Sequence, residues 1–494
     1  MRGRPFVHRD FRGGINTVAQ PYALSDNEAR DARNVVSTAR GAIRKRNGST
    51  TFSTPAGTPH SLYADDVTAT KYLIAGYVAS STGKLASIDT GGTATEIGTG
   101  FSTTARWEWI QAPVSPTGSF GPLYGVNGVS TPQYWTGATA GTATAAWTNN
   151  AAGAIPNGKY VKYFKNRVWM AGMSANPSRL QFSNLGDPRD WPAANVVDFD
   201  PNDGDVITGL GTVGPYLLVF KQRKTFLVYD LDTGANRPIG DNIGCIAHRS
   251  IKETPQGTFF LTLDQGVYKT DGNNVTRLSQ NISPTVESII EGQRLNAAAA
   301  YWNDHYYLSV CTTGSTPNLT LDYDLTLGSW WFHTLTANQW AILRPTADPV
   351  LYGAGPAGTV TRAFQPGQTQ DYSGVNYTAY WRSAFHGFGA NAVNKRVRSV
   401  QFEGIGTINL SVAKNFAEGY ALFKTVNLAG AGSTFGGTGN YGGEGTFGDP
   451  SSIKQSEACS LGLGKTFSVE VLNSTNAAME VDSLTYLVNP PRRS

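Results

Sequence analysis

The chain has 494 residues, with 40 Lys and Arg against 36 Asp and Glu, a formal net charge of +4; 15% of residues are charged and 40% hydrophobic. That length predicts two or three domains, or one large β domain with appendages. No apolar run approaches the roughly 18 residues of a membrane span, and the start MRGRPFVHRDFRGG lacks the apolar core of a secretion signal.

Gly (56) and Pro (25) together make up about 16% of the chain, against roughly 12% on average, which suits many short strands joined by turns. Three distant cysteines, Cys245, Cys311 and Cys459, form no CxxC pair. They predict reduced structural thiols and exclude a disulfide framework and a cysteine zinc site.

Residues 1–52 carry ten basic and four acidic residues, a net +6 that leaves −2 for the rest. Such a basic arm suits a phosphate backbone or an acidic protein neighbour, and otherwise a solvated terminus. Within it, 24–36 predicts one short helix. Ser25 stands as N-cap, Glu28 completes a capping box, and Ala29, Ala32 and Val36 share a helical face. Gly13-Gly14 permits a bend before it, and Asn47-Gly48 a turn after it.

From 53 to 370 the texture is β-rich. Apolar runs, tight turns and Tyr/Trp/Val-rich second runs recur, as in 70–89, 160–184, 215–230, 257–272, 301–333 and 349–363. Sheets of this size bury both faces when copies stack around an axis, which predicts an all-β chain with a β-propeller of about seven blades. An irregular pair of β-sandwiches is the rival arrangement. Residues 371–494 alternate with period two in 379–389, 397–413, 467–474 and 479–489, which predicts a C-terminal β-sandwich. Between these runs lies a Gly-rich loop, 430–450, either a docking element or a surface loop.

Chemistry is sparse. There is no HExxH, Walker A or GxSxG, and the six histidines show no metal-ligand spacing. Asp198, Asp200, Asp203 and Asp205 alternate as calcium ligands do. However, Gly204 is one place late and Gly209 stands where a bidentate Glu belongs, so a solvated turn is the plainer reading. No catalytic residue and no cofactor is expected. Tyr160, Tyr163, Phe164 and Trp169, interleaved with Lys159, Lys162, Lys165 and Arg167, fit a half-buried strand pair better than a single-stranded nucleic-acid surface. Asp324, Gly328 and Trp330 resemble the Asp-box hairpins of sialidase-like propellers, in which the acid caps a turn. A carbohydrate-binding or carbohydrate-cleaving propeller used in host attachment is therefore an alternative.

The stretch 11–49, through Gly13, Gly14, Ile15, Pro21, Leu24, Asp26, Asn34, Gly41, Ile43, Arg44, Arg46 and Gly48, resembles the opening of tail nozzle and tail-hub proteins of tailed bacteriophages. Residues 182–210 and 217–228 are similar to propeller segments of phage tail proteins. The resemblance implies a non-enzymatic virion component, assembled in the host cytoplasm into a homo-oligomeric ring, usually of six copies. The ring would dock on neighbouring tail proteins and surround a channel through which genomic DNA passes without sequence specificity. A tail-tip protein of a long-tailed phage is the related alternative. Arg12, Gly13, Gly14, Arg30, Arg44 and Arg46 are the expected docking residues of the arm.

Overall fold

A computed structural model describes residues 4–65, 71–113, 120–137, 141–150, 153–264, 266–355, 358–389, 391–428 and 460–489. The Gly-rich loop 430–450 and Cys459 lie outside the described residues. The chain forms two compact units. One comprises Met1–Gly48, Asp322–Thr334 and Phe364–Ser494; the other comprises Ser49–Leu321 and Leu335–Ala363. No helix among the described residues is long and apolar enough to cross a membrane.

Seven four-stranded antiparallel sheets follow one another along the chain. The first is Thr58–Asp65, Tyr72–Ala79, Thr82–Ile88 and Ala94–Phe101. The next five open with Glu108–Pro113, Tyr160–Phe164, Ile207–Val213, Lys252–Thr254 and Ala298–Trp302, and the seventh with Gln339–Leu343. Each opening strand touches the opening strand of the next sheet, and the seventh touches the first, so the blades close a circle. This is the expected propeller. Its seventh blade is completed by Thr50–Ser53, which pairs antiparallel with Val360–Arg362. Phe52 secures that join, with its ring 4.9 Å from that of Tyr352 and the Arg362 guanidinium 4.4 Å from its centroid.

The apolar runs are explained by burial on both faces. Tyr72, Leu73, Ile74 and Ala75 are all buried: Leu73 and Ala75 pack with Leu343 and Tyr352 of the seventh blade, Tyr72 and Ile74 with Trp109 and Leu123 of the second. Each such Leu or Ile contributes roughly 1.5–3 kcal/mol by leaving water. The hairpin turns at Ser80-Ser81, Lys165-Asn166 and Asn303-Asp304 have positive φ at both central residues, the geometry that matches strand twist. The aromatic–basic run at 159–169 is accordingly the strand pair Tyr160–Phe164 and Arg167–Ala171, with Trp169 in the core.

Besides the strands within Asp322–Thr334, the other unit is one curled sheet of eleven strands. Its longest strand, Lys395–Lys414, changes partner midway. Residues 396–406 pair with Met479–Asn489, and residues 409–414 pair with Phe467–Asn473. A strand shared in this way carries one set of neighbours into the next, so the C-terminal region belongs to a single, nearly closed β-sheet. Val397, Val400, Phe402, Ile408 and Leu410 from it are fully buried.

Two expectations are corrected here. Residues 1–52 are not a free arm: Arg4–His8, Gly14–Ile15, Glu28–Arg33, Val35–Ser37 and Ile43–Lys45 are all strands of this sheet. Nor is 24–36 a helix; the short α-helix among the described residues is Ser283–Glu287. The capping signature is satisfied by a turn instead. The Glu28 N–H donates to the Ser25 carbonyl oxygen, and Glu28 Oε2 accepts from the Ser25 N–H, both at 3.0 Å. The three-residue spacing of Ala29 and Ala32 comes from a β-bulge between Ala29 and Asp31, which buries both alanines. The boundaries shift as well, since propeller strands begin at Thr50 and end at Arg362 rather than spanning 53–370.

Candidate functional site

The proposed docking residues divide by environment. Arg46 is internal: its guanidinium makes two hydrogen bonds to the Asp371 carboxylate, 2.9 and 2.6 Å, with side-chain exposures of 1% and 5%. Nε donates to Asn34 Oδ1 at 3.0 Å, and the Tyr377 ring stacks 3.9 Å from the guanidinium carbon. This is the bidentate, stacked setting that arginine suits and lysine does not. The Tyr377 hydroxyl in turn donates to the Arg46 carbonyl oxygen.

Gly13 and Gly14 are also structural. A Cβ on Gly13 would meet the Asn27 carbonyl oxygen at 2.6 Å. Gly14 (φ +68°) lies against Ser329 and Trp330, with contacts of 2.7–2.9 Å for an added Cβ. Arg30 is half-buried and stacks on Phe385 and Tyr420. Only Arg12 and Arg44 of the six are exposed, and Arg12 is engaged by Asp10 through Nε at 2.9 Å. For the others, burial argues against a role in touching a partner. The partner Asp371 was invisible to sequence reasoning because no local pattern links it to Arg46.

The acidic loop is neutralised from within the propeller. Asp198 accepts two bonds from Arg179, at 2.8 and 2.9 Å. Asp203 accepts from Lys221 and Asp200 from Lys224, each at 2.7 Å. Asp205 accepts the backbone N–H groups of Gln222 and Arg223 at 3.1 and 3.0 Å. Each carboxylate is thus spent on a cation or an amide, and the loop reads as a clamp on the turn between Tyr216–Lys221 and Lys224–Val228.

The Asp324 hairpin also behaves as a turn cap. Asp324 Oδ1 accepts from the N–H groups of Thr326 and Leu327 at 2.8 and 2.9 Å. Trp330 packs on Tyr323 at 4.8 Å. Nearby, His333 Nε2 lies 3.0 Å from Asp322 Oδ2, both fully buried.

A further set of charged groups lies in the propeller channel, in a cavity of about 430 Å³. Arg249 Nε donates to Glu108 Oε1 at 2.8 Å, and His248 Nε2 lies 3.9 Å from Glu108 Oε2. Lys162 Nζ donates to Glu253 Oε1 at 2.6 Å, an oxygen that also accepts from the Thr212 N–H and hydroxyl. Glu253 keeps 40% of its side-chain surface, which opens into protein-lined cavities. Burial would push its carboxyl up, but Lys162 outweighs this and holds it at about 2. Burial brings His248 down to about 4 despite Glu108, so the ring is neutral at pH 7. Burial also lowers Lys252, partly offset by Glu253 and Glu108. Sequence reasoning missed this set because its members come from three blades, and only Lys162 stood in a segment it had singled out.

No protein family and no curated protein matches the chain. Solved structures similar to it include YCF48 bound to a D1 peptide, at 13% identity and a TM-score of 0.39, covering 67% of this chain and 98% of that one. Another is the extracellular domain of a protein described as a hybrid two-component system from B. thetaiotaomicron, at 8% identity and a TM-score of 0.43, covering 79% of this chain and 56% of that one.

Proposed function

We propose that the chain is a structural subunit of a phage tail, forming a ring at the nozzle or hub. One observation carries the reading: most of the positions through which residues 11–49 resemble that family are ones the local fold depends on. Asn34 (φ 55°) accepts from Arg46 and Thr334 through Oδ1 and donates to the Thr378 carbonyl oxygen through Nδ2. Ile43 is fully buried, and a Cβ on Gly48 would meet the Gln370 carbonyl oxygen at 1.9 Å. A pattern in which glycines, buried apolar residues and a buried arginine hold the sheet together is what shared architecture leaves in a sequence. The acids that suggested metal or glycan chemistry are engaged in structural bonds, which favours an architectural role over a catalytic one.

In this reading the DNA passes between subunits. The propeller's own cavity has the volume of a small-ligand site and could not take a duplex. Exposed Arg12 and Arg44 remain the docking residues from the original set. Native mass spectrometry of the purified chain, and imaging of DNA-filled particles, test the proposal. A closed homo-oligomer and a stoichiometric place in the tail are expected. A persistent monomer that is absent from particles, or one that binds host glycans, overturns it.

A further inference from the structure

We propose that the propeller channel is a binding site for one small oxyanion, held beside the Lys252 ammonium. The cavity is lined by consecutive residues of several opening strands, among them Glu108–Gln111 and Lys252–Glu253. Neighbouring strand residues point to opposite faces, so what consecutive residues share toward the channel is the strand edge itself. Each opening strand is the end member of its sheet. Its outer edge therefore offers backbone N–H and C=O groups that no further strand takes up.

The charges around this lining do not balance. Lys162, Arg249 and Lys252 line the cavity with Glu108 and Glu253. Lys162 is taken by Glu253 and Arg249 by Glu108. His248 beside Glu108 adds no charge at neutral pH. Among the described residues the Lys252 ammonium makes no hydrogen bond and no ion pair, although Lys252 is half-buried at the cavity wall. An ammonium in a protein-walled space is costly without a counter-charge. A small oxyanion supplies that charge and accepts several directed bonds, from the three ammonium protons and from edge N–H groups. The volume of about 430 Å³ admits such an ion with its remaining hydration.

The test uses the full chain in buffer free of oxyanions at pH 7, titrated with inorganic phosphate at constant ionic strength. Calorimetry is expected to show one saturable site per chain. Lys252→Met should weaken binding by at least about tenfold, as loss of a charge-assisted contact implies, while Lys252→Arg retains it. In phosphate-free buffer Lys252→Met should melt higher than the native chain, because an uncompensated charge has been removed. Its melting temperature should then be insensitive to phosphate. The absence of saturable binding, or equal phosphate responses in the native chain and Lys252→Met, overturns the proposal.

Discussion

The two units are built by opposite strategies. In the propeller, six of the seven blades are continuous stretches of chain, and the seventh borrows one strand. In the other unit, neighbouring strands come from opposite ends of the sequence: Arg4–His8 pairs with residues 484–488, and Glu28–Arg33 with Ala379–Ser383. Local repeats make an architecture readable and tolerant of local change. Long-range stitching makes each segment depend on others hundreds of residues away.

The sharpest way to break this contrast is deletion of residues 1–48. An independent arm would leave a folded remainder. Loss of five strands and of the Arg46–Asp371 pair should instead abolish cooperative folding of the stitched unit, seen as rapid proteolysis of residues 371–494 while propeller fragments persist.

Arg46→Ala comes next. It removes the guanidinium from the buried Asp371 carboxylate and should cost about 3–5 kcal/mol in chemical denaturation, and Arg46→Lys should not restore the loss because the fork and the stack are missing. Phe52→Ala probes the strand that completes the seventh blade. The ring is half-buried, so about 2 kcal/mol is expected, below the cost of emptying a full core site.

Acid should weaken both units. Burial lowers His8 in the stitched unit to about 3, and His60 and His248 in the propeller to about 3 and 4. Each is neutral when folded but takes a proton more readily when unfolded, near 6.5. The unfolded state therefore binds more protons below about pH 6.5, and stability should fall steadily from there toward pH 3–4. Urea midpoints measured across that range check the direction; a flat profile would contradict the neutral burial of these rings. The smallest effect on folding belongs to Arg12→Ala with Arg44→Ala. Their denaturation midpoint should match the native one, and any change should be confined to the ring formation proposed above.

Legibility followed the same division. The blades could be read because an apolar strand, a two-residue turn and a second strand repeat within a few dozen residues, as around Lys165-Asn166. Segment 24–36 misled because a bulge gives a strand the three-residue spacing of a helix, and because a turn uses the same Ser25 and Glu28 atoms as a capping box. Arg46 looked like a surface cation because its partner is remote in sequence. The channel charges were illegible for a related reason: Glu108, Lys162 and Lys252 each look like ordinary strand polar residues until the circle closes.

That closure has a bearing on how the protein is made. Thr50–Ser53 leaves the ribosome early, yet its partner Val360–Arg362 is among the last propeller segments translated. At ordinary elongation rates of about 5–20 residues per second the strand waits on the order of 15–60 s with its hydrogen-bonding edge unpaired. A nascent chain in that condition invites pairing with a neighbour on the same polysome. Expression yield should therefore respond to chaperone supply and translation speed more than the stability of the finished ring would suggest.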